Sequence, residues 1–528
     1  MPDFTYPDLP VHGLLRTAAE RDPHGIAVRT ADTALSFREL AARADRIAAY
    51  VQQETAGRTD VRVGVANVLD PVFAAAYYGV MAGGAQVVLV NPLIGDDGLR
   101  HVFAASGAEI ALVPSATAQL LAKMQDTLPA LRSIVVTDGP EMAVPPGCVP
   151  LETVLETASA TPRRVDPDRD SVACVQFTTG TTGPPKGVLL THRNVVANAW
   201  QTAQAHRLGR DSVTVNHLPL YHVMHLNSAL YAGACQVLCK DPDPLVSLAV
   251  AAGVGATHYY GLPARLHRLA ADERLAGTPR EARGGPRLTA VLSGGSGLGR
   301  EAARTLRGLL GVPVIQGYGM AELSPLTHCQ APGLDRPGAV GLPVPGTACR
   351  LVDVTTRRTV DVWSTGEVQV KGPQLMAGYL GEDSCARIDV DGWFSTGDVG
   401  YVDDDGALWL VDRLDDIFKY DNEIVSPSRV EQILGADPRV AECVVAGWPD
   451  REHGALVWAG VVLRPDDRPD SAHQTLDVLE SVAARANEHL AHFERIRLTE
   501  ALDAVPRTPV GKPARRLARL RLKERAAS

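Results

Sequence analysis

The sequence predicts an α/β fold with a large N-terminal domain of parallel sheets, a small β-barrel-like subdomain and a smaller α+β domain at the C-terminus. Three observations carry that expectation. Continuous apolar runs alternate with helical patterns through most of the chain; glycine-rich alternating strands take over from about residue 340; a self-contained strand-and-helix region lies beyond Arg413. Apolar strands separated by helices imply parallel sheets covered on both faces. At 528 residues the chain is several ordinary domains long, so more than one core can be buried.

The first elements are clear. FRELAARADRIAAYVQQ has the helical period, VRVGVANV reads as a strand, DPVFAAAYYGVMAGG as a helix ending in glycines, and AQVVLVNP as a second strand. The pattern recurs at SVACVQFTT, ATHYYGL, LTAVLSGG and VPVIQGYG. GLPVPG, STGEVQVKG and DGWFSTGDVGYVDDDGALWLVDR then give short alternating strands, an antiparallel sheet or small barrel. VEQILGADPRVAECVVAG, LVWAGVVL and TLDVLESVAARANEHLAHF complete the last region, which is long enough to fold as an independent domain. The expected division is residues 1–412 and 413–528.

Composition narrows the function. Hydrophobic residues make up 45% and charged residues 21%, the balance of a globular protein. No stretch is long and apolar enough to span a membrane, and MPDFTYPDLPVHGLL lacks the basic start and apolar run of a secretory signal; a cytoplasmic address is the default expectation. Net charge is −9. The one basic cluster, Arg515, Arg516, Arg519, Arg521, Lys523 and Arg525, is spaced with Leu517, Leu520 and Leu522 as an amphipathic last helix rather than a nucleic-acid patch. The eight cysteines show no paired spacing, against zinc and against a disulfide framework. Only seven lysines occur beside 45 arginines, so Lys186, Lys419 and Lys512, each among glycine, proline or aromatic residues, draw notice as sites where a compact ammonium meets phosphate or carboxylate.

The strongest local signal is Thr178-Thr179-Gly180-Thr181-Thr182-Gly183-Pro184-Pro185-Lys186-Gly187-Val188, directly after the apolar run VACVQF. Glycines allow close backbone approach, and hydroxyls and amides donate to phosphate oxygens. The glycine and lysine spacings fail the G-x-x-x-x-G-K-[ST] pattern, against a P-loop kinase or GTPase. A flexible Thr/Gly surface loop is the plain alternative.

Together with Leu190-Thr191-His192-Arg193-Asn194, this segment closely resembles the phosphate-binding loop of the adenylate-forming superfamily: acyl-CoA synthetases, coumarate-CoA ligases, beetle luciferases and peptide-synthetase adenylation domains. Further motifs match in order along nearly the whole chain. Leu218-Pro219-Leu220-Tyr221-His222 is similar to the motif whose histidine lies beside the acyl pocket; Ser293-Gly294-Gly295 resembles the strand end flanking adenine and substrate. Gln316-Gly317-Tyr318-Gly319-Met320-Ala321-Glu322 resembles the adenine-stacking turn whose glutamate helps hold magnesium. Gly366-Glu367 and Gly378-Tyr379 fall at the next motif. Ser395-Thr396-Gly397-Asp398 is similar to the segment whose aspartate takes the ribose hydroxyls. Asp412-Arg413-Leu414-Asp415 resembles the hinge, with Arg413 on the ribose and Asp415 as pivot, and Pro506 to Lys512 the motif whose lysine acts in adenylation.

The resemblance implies a mobile C-terminal domain, ATP, Mg2+ and coenzyme A as cofactors, and a monomer or homodimer that activates a small carboxylic acid to its acyl-AMP and passes the acyl group to CoA. Loading a carrier protein, stopping at the adenylate, and a non-catalytic ligand-binding relative are the alternatives. Each residue also has a plain reading: Glu322 as a solvated loop residue, Asp398 as a turn cap, His222 as a core histidine, Arg413 and Asp415 as a surface ion pair, Lys512 as a solvated lysine. The chemistry suits the functional ones. Attack of a carboxylate oxygen on the α-phosphorus builds charge that a magnesium ion, Lys512 and loop amides stabilise.

Tyr221-His222-Val223-Met224 lacks the aspartate that holds an α-amino group, which disfavours an amino acid. Val223, Met224, Leu226 and Leu230 point to a fatty, alicyclic or aryl acid, or else pack a helix. Departures from the family are Ala321 for a threonine, His225 for a small residue, Ile496 for a proline, and Asp421-Asn422 where Lys-Gly or Gly-Gly is usual. Asp421 is expected to hinder an incoming thiolate, and Asn422 to take a left-handed turn.

Overall fold

A computed structural model describes residues 5–139, 144–178, 185–217, 220–331, 336–382, 385–421, 423–469, 471–507, 515, 517–520 and 522. The chain forms two compact units, Met1–Cys349 with Val370–Phe394, and Arg350–Gln369 with Ser395–Ser528.

The first unit holds two large sheets. One runs Gly378–Tyr379, Gly187–Thr191, Val172–Phe177, Gln86–Val90, Arg62–Ala66, Ile110–Val113, Ser133–Val136, Val149–Pro150 from edge to edge. Its body is parallel from Val172–Phe177 onward. At the near edge Gly187–Thr191 pairs antiparallel with both of its neighbours, Gly378–Tyr379 and Val172–Phe177. The other sheet runs Leu342–Pro343, Leu326–Cys329, Val314–Gly319, Ala290–Ser293, His258–Gly261, Val213–Asn216, Cys235–Leu238, Ile26–Arg29, Ala34–Ser36, with a parallel centre from Val314–Gly319 to Ile26–Arg29. The parallel strands are apolar on both faces: Ile110 to Val113 are all buried, as are Ala290 to Ser293.

Local chemistry starts the helices where the sequence marks them. Asp70 caps Pro71–Ala82 by accepting from Val72 N–H at 3.1 Å, with Pro71 at the first position. Ser36 and Glu39 form a reciprocal capping box at the start of Phe37–Glu54. Thr191 and Asn194 do the same for His192–Ala205, at 3.1 and 3.0 Å, and Asn194 also donates to the Pro373 carbonyl at 2.9 Å. That Thr-x-x-Asn stretch therefore has a structural role whatever ligand lies near it.

The second unit carries a four-stranded sheet, Ala348–Val352, Gly366–Lys371, Phe394–Val402, Leu408–Arg413, the last two antiparallel. Its other sheet has five strands, Glu423–Val425, Phe418–Tyr420, Gly454–Leu463, Val440–Asp450, with Ile496–Ala501 parallel to Gly454–Leu463. The helices Pro427–Leu434 and Ala472–Asn487 supply Val430, Leu434, Leu479 and Val482 to its core. Among the described residues no helix is long and apolar enough to cross a membrane, and the eight cysteines are all free. Burial pushes the Cys174 and Cys329 thiols up to about 12, the state of unreactive core residues.

The last helix differs from its expected pattern. Leu517 and Leu520 are each 45% exposed, whereas Ala518 and Leu522 are buried against Val444, Ala446 and Trp458. Arg515, the most enclosed of the described arginines in the basic cluster, bonds Asp416 at 3.1 Å, Asp412 at 3.3 Å and Glu431 bidentately, while Arg519 reaches Asp416 at 3.0 Å. Three carboxylates converging on one guanidinium outweigh two leucines, because unpaired buried charge is far more expensive than exposed methyls.

Arg515→Ala takes the guanidinium from Asp412 and Glu431, while Asp416 keeps Arg519, and is expected to destabilise the second unit by on the order of 3 kcal/mol, read as faster amide exchange in Gly454–Leu463. Leu517→Ser is expected to leave that exchange unchanged, because its side chain stands at the surface.

Candidate active site

The strand Val172–Phe177 and its antiparallel neighbour Gly187–Thr191 form a hairpin around the Thr/Gly-rich loop. The neck is closed twice: Thr178 N–H donates to the Lys186 carbonyl at 2.9 Å, and Lys186 N–H to the Thr178 hydroxyl at 3.3 Å. Thr179, Gly180, Thr181, Thr182 and Gly183 lie outside the described residues. The Lys186 ammonium meets Glu382 at 2.7 Å and stands 4.8 Å over the Tyr379 ring. Tyr379 in turn donates its hydroxyl to Glu322 at 2.8 Å. Burial and the Glu322 carboxylate raise the Tyr379 phenol, so it stays a donor. Lys186, Tyr379 and Glu322 thus make one line, and Glu322, in the turn Ala321–Leu323, is buried.

Glycine at two positions is required by the backbone. Gly295, just past Ala290–Ser293, has φ +89°, and a Cβ on Gly319 would lie 1.8 Å from the Pro325 carbonyl oxygen. A Cβ on Gly294 would meet nothing nearer than the Gly317 carbonyl at 3.9 Å, so Gly294 and Gly317 face each other across a narrow gap between adjacent strand ends. Tyr318, beside them, is buried and sits 5.9 Å from His328.

His222 is the N-cap of the helix Val223–Ala232: its Nδ1 accepts from Met224 N–H at 3.2 Å, and burial lowers its imidazole to about 4. It is neutral at ordinary pH. Val223, Leu226 and Leu230 are buried on the same helix.

In the second unit, Asp398 and Arg413 are register partners on adjacent strands, joined at 2.7 Å. Asp398 is buried and Arg413 exposed. Asp415 is exposed in the turn after Leu408–Arg413, where Arg519 donates to its carbonyl. Arg515 and Arg519 hold this turn through Asp412 and Asp416; neither was expected there, and the basic cluster at the C-terminus was their only trace in the sequence. Lys512 and Asn422 lie outside the described residues.

Asp421 departs from expectation. Asp421 is itself left-handed, φ 47°, and its carboxylate is not alone: it meets His453 Nδ1 at 2.8 Å while its N–H donates to the His453 carbonyl at 3.1 Å. His453 stacks on Tyr420 at 4.7 Å, with Arg497 over Tyr420 at 3.8 Å. The Asp421 carboxylate holds the His453 imidazole above its ordinary value. The carboxylate that was expected to hinder an incoming thiolate therefore has a histidine partner.

Residues 15–380 match the family of AMP-binding enzymes, and residues 429–512 the AMP-binding enzyme C-terminal domain. A 4-coumarate–CoA ligase 2 of Oryza sativa subsp. japonica is 31% identical, over 99% of this chain and 94% of its own. A long-chain-fatty-acid–CoA ligase of Bacillus subtilis (strain 168) is 29% identical over 97% and 95%. Among solved structures, ATP-bound MatB from Rhodopseudomonas palustris superposes with a TM-score of 0.84 at 26% identity, covering 98% of this chain and 99% of that one.

The sign of the Asp421–His453 coupling gives a direct test. A raised histidine is stabilising in full below its unfolded value near 6.5, and that contribution fades as pH rises through the higher folded value. An NMR titration is expected to place the His453 imidazole above the ordinary range, and Asp421→Asn to return it there.

Proposed function

The chain belongs to the AMP-binding enzyme family, and from that membership we propose that it joins a carboxylic acid with a largely apolar body to AMP and then transfers the acyl group to the thiol of coenzyme A. In the first half-reaction a carboxylate oxygen attacks the α-phosphorus of ATP, the bond to the β-phosphate oxygen breaks, and pyrophosphate leaves. In the second, the thiol sulfur attacks the acyl carbon, the bond to the AMP oxygen breaks, and the thiol proton is released.

The observation that carries this reading is the line Lys186, Tyr379, Glu322 beside the Thr178 loop. Lys186 and Glu382 form an exposed pair, and such pairs are worth roughly 0–1 kcal/mol. A polyphosphate can therefore take the ammonium from Glu382 at little cost. Among the described residues there is no cluster of three metal-ligating side chains, and the single buried carboxylate of Glu322 suits an ion that uses one or two carboxylates and completes its shell with phosphate oxygens. Glu322 would hold Mg2+ together with the nucleotide, and the ion would supply charge neutralisation on the phosphates. Tyr379 fixes the carboxylate for that role. Asp398 and Arg413 are assigned to the ribose, Gly317, Tyr318 and Gly319 to the adenine, Gly294 and Gly295 to the substrate where it meets the adenine, His222 to the acyl side and Lys512 to the developing charge at the α-phosphate.

Two chemistries in one site require a rearrangement between them. We assign it to rotation of residues 413–528 against 1–412 about Asp415, which is exposed in a turn that Arg519 contacts at the Asp415 carbonyl and at Asp416.

Acid-dependent exchange of pyrophosphate into ATP is expected, with AMP rather than ADP as product, and Lys512→Ala is expected to lower it about 10²–10³-fold; ADP release or an unaffected variant would refute adenylation. Asp415→Pro is expected to spare that exchange and to depress thioester formation with CoA, measured from preformed adenylate. Equal loss of both would count against the hinge.

A further inference from the structure

At its tip the Lys186 side chain is held by the Glu382 carboxylate and the face of Tyr379, and the first of these a ligand phosphate can displace. A lysine stem is long and flexible, so where the ammonium stands depends on how firmly its backbone is held. The peptide between Pro185 and Lys186 is fixed at both polar ends. Its N–H donates to the Thr178 hydroxyl at 3.3 Å. Its carbonyl, that of Pro185, accepts from Nε2 of His101 at 2.8 Å, across 84 residues of sequence.

His101 belongs to neither arm of the hairpin. It stands on the helix Asp96–Ser106, whose Leu99, Val102 and Phe103 are buried in one core with Val175, and Phe177, Leu189 and Leu380 pack against that core. Helix and hairpin thus share a close-packed interior, which leaves them little freedom of relative position. The His101 ring also meets the Phe177 ring edge to face, with centroids 6.0 Å apart. One side chain therefore touches both arms of the neck, Phe177 before the loop and Pro185 after it. Proline has no N–H, so its carbonyl is the one backbone group by which Pro185 can be tied, and His101 takes it. A carbonyl only accepts, so Nε2 carries the proton in this contact, and an imidazole keeps that donor whether neutral or charged.

We propose that His101 is a positioning residue for the nucleotide half-reaction: it ties down the returning arm of the phosphate loop and, through the Pro185–Lys186 peptide, sets where the Lys186 ammonium stands toward the polyphosphate of ATP. The inference rests on the adenylation reading and adds a residue to it that lies in none of the sequence motifs. His101 acts through Lys186 and not on a reacting atom. It is only half-buried, so exchanging its ring for another opens no cavity in the core.

The test uses the full chain with MgATP and an acid that supports pyrophosphate exchange. His101→Phe keeps a ring against Phe177 and removes the donor; His101→Gln returns an N–H near the place of Nε2. His101→Phe is expected to lower kcat/KM for ATP about tenfold, the scale of a small misplacement of a positioned group, with KM for the acid within about twofold and the melting temperature unchanged. His101→Gln is expected to recover most of the loss. A second measurement needs no turnover: hydrogen exchange of the neck amides of Thr178 and Lys186 is expected to quicken in His101→Phe and to slow again in His101→Gln, while exchange in Asp96–Ser106 stays as it was. Unchanged kcat/KM for ATP in His101→Phe overturns the proposal. So does an equal loss toward ATP and acid, or a loss that His101→Gln does not recover, each the mark of a purely structural role. If no acid supports exchange with the unmodified chain, the adenylation reading fails instead. Calorimetric binding of ATP then decides for His101: weaker binding with faster neck exchange in His101→Phe supports the proposal, and ATP bound equally by both proteins, or by neither, overturns it.

Discussion

Two hydrogen bonds across the neck of one loop, between Thr178 and Lys186, hold the chemistry of the first unit in place. They close the hairpin of Val172–Phe177 and Gly187–Thr191, and the outer strand of that hairpin pairs with Gly378–Tyr379. One edge ladder thereby sets the lysine, the tyrosine beneath it and the glutamate beyond it in sequence. Without the neck, Lys186 would belong to a loose segment and its distance to Glu322 would be undefined. Antiparallel pairing at the edge of a parallel sheet is what makes this possible, because an antiparallel neighbour needs no long crossover connection.

The ion pairs divide by burial. Lys186–Glu382 and Asp421–His453 face solvent and are weakly held, so a ligand phosphate or a change of pH can rearrange them. Asp398–Arg413 joins a buried carboxylate to an exposed guanidinium, leaving the latter accessible. Arg515 with Asp412, Asp416 and Glu431 is enclosed, and its loss would take that guanidinium from Asp412 and Glu431, leaving Asp416 with Arg519. The expensive cluster fixes the architecture around the turn at Asp415, and the inexpensive pairs stand where ligands and partners are expected. Histidine obeys the same logic. Buried imidazoles such as His206 and His258 are satisfied by Tyr260, Thr257 and a backbone carbonyl, whereas His12, His217, His225 and His328 each keep a buried ring nitrogen without a partner among the described residues.

Much of this was written locally in the chain. Apolar runs of four to six residues located the parallel strands, since a strand covered on both faces has no polar side to show. Asp70-Pro71, Ser36 with Glu39 and Thr191 with Asn194 marked helix starts, because a cap and its amide lie within three residues. The glycines after Ser293 and the turn before Glu322 were legible for the same reason: each is a backbone requirement met by adjacent residues.

Partners across long separations were not legible. Arg515 finds Asp412 and Glu431 from 103 and 84 residues away, Lys186 finds Glu382 across 196 and Tyr379 reaches Glu322 across 57. At helical spacing Leu517 and Leu520 looked like the inward face, and only the placement of three carboxylates turned Arg515 inward instead. Asp421 read as a lone negative charge until the strand Gly454–Leu463 brought His453 beside it. The sequence alone determined the elements, the order of the motifs and the kind of chemistry, because periodicity, capping and glycine requirements act between near neighbours. Tertiary structure decided which charges are paired, which are enclosed and which imidazoles keep a free nitrogen, because those depend on chain closure and desolvation, and neither is a property of any local stretch of residues.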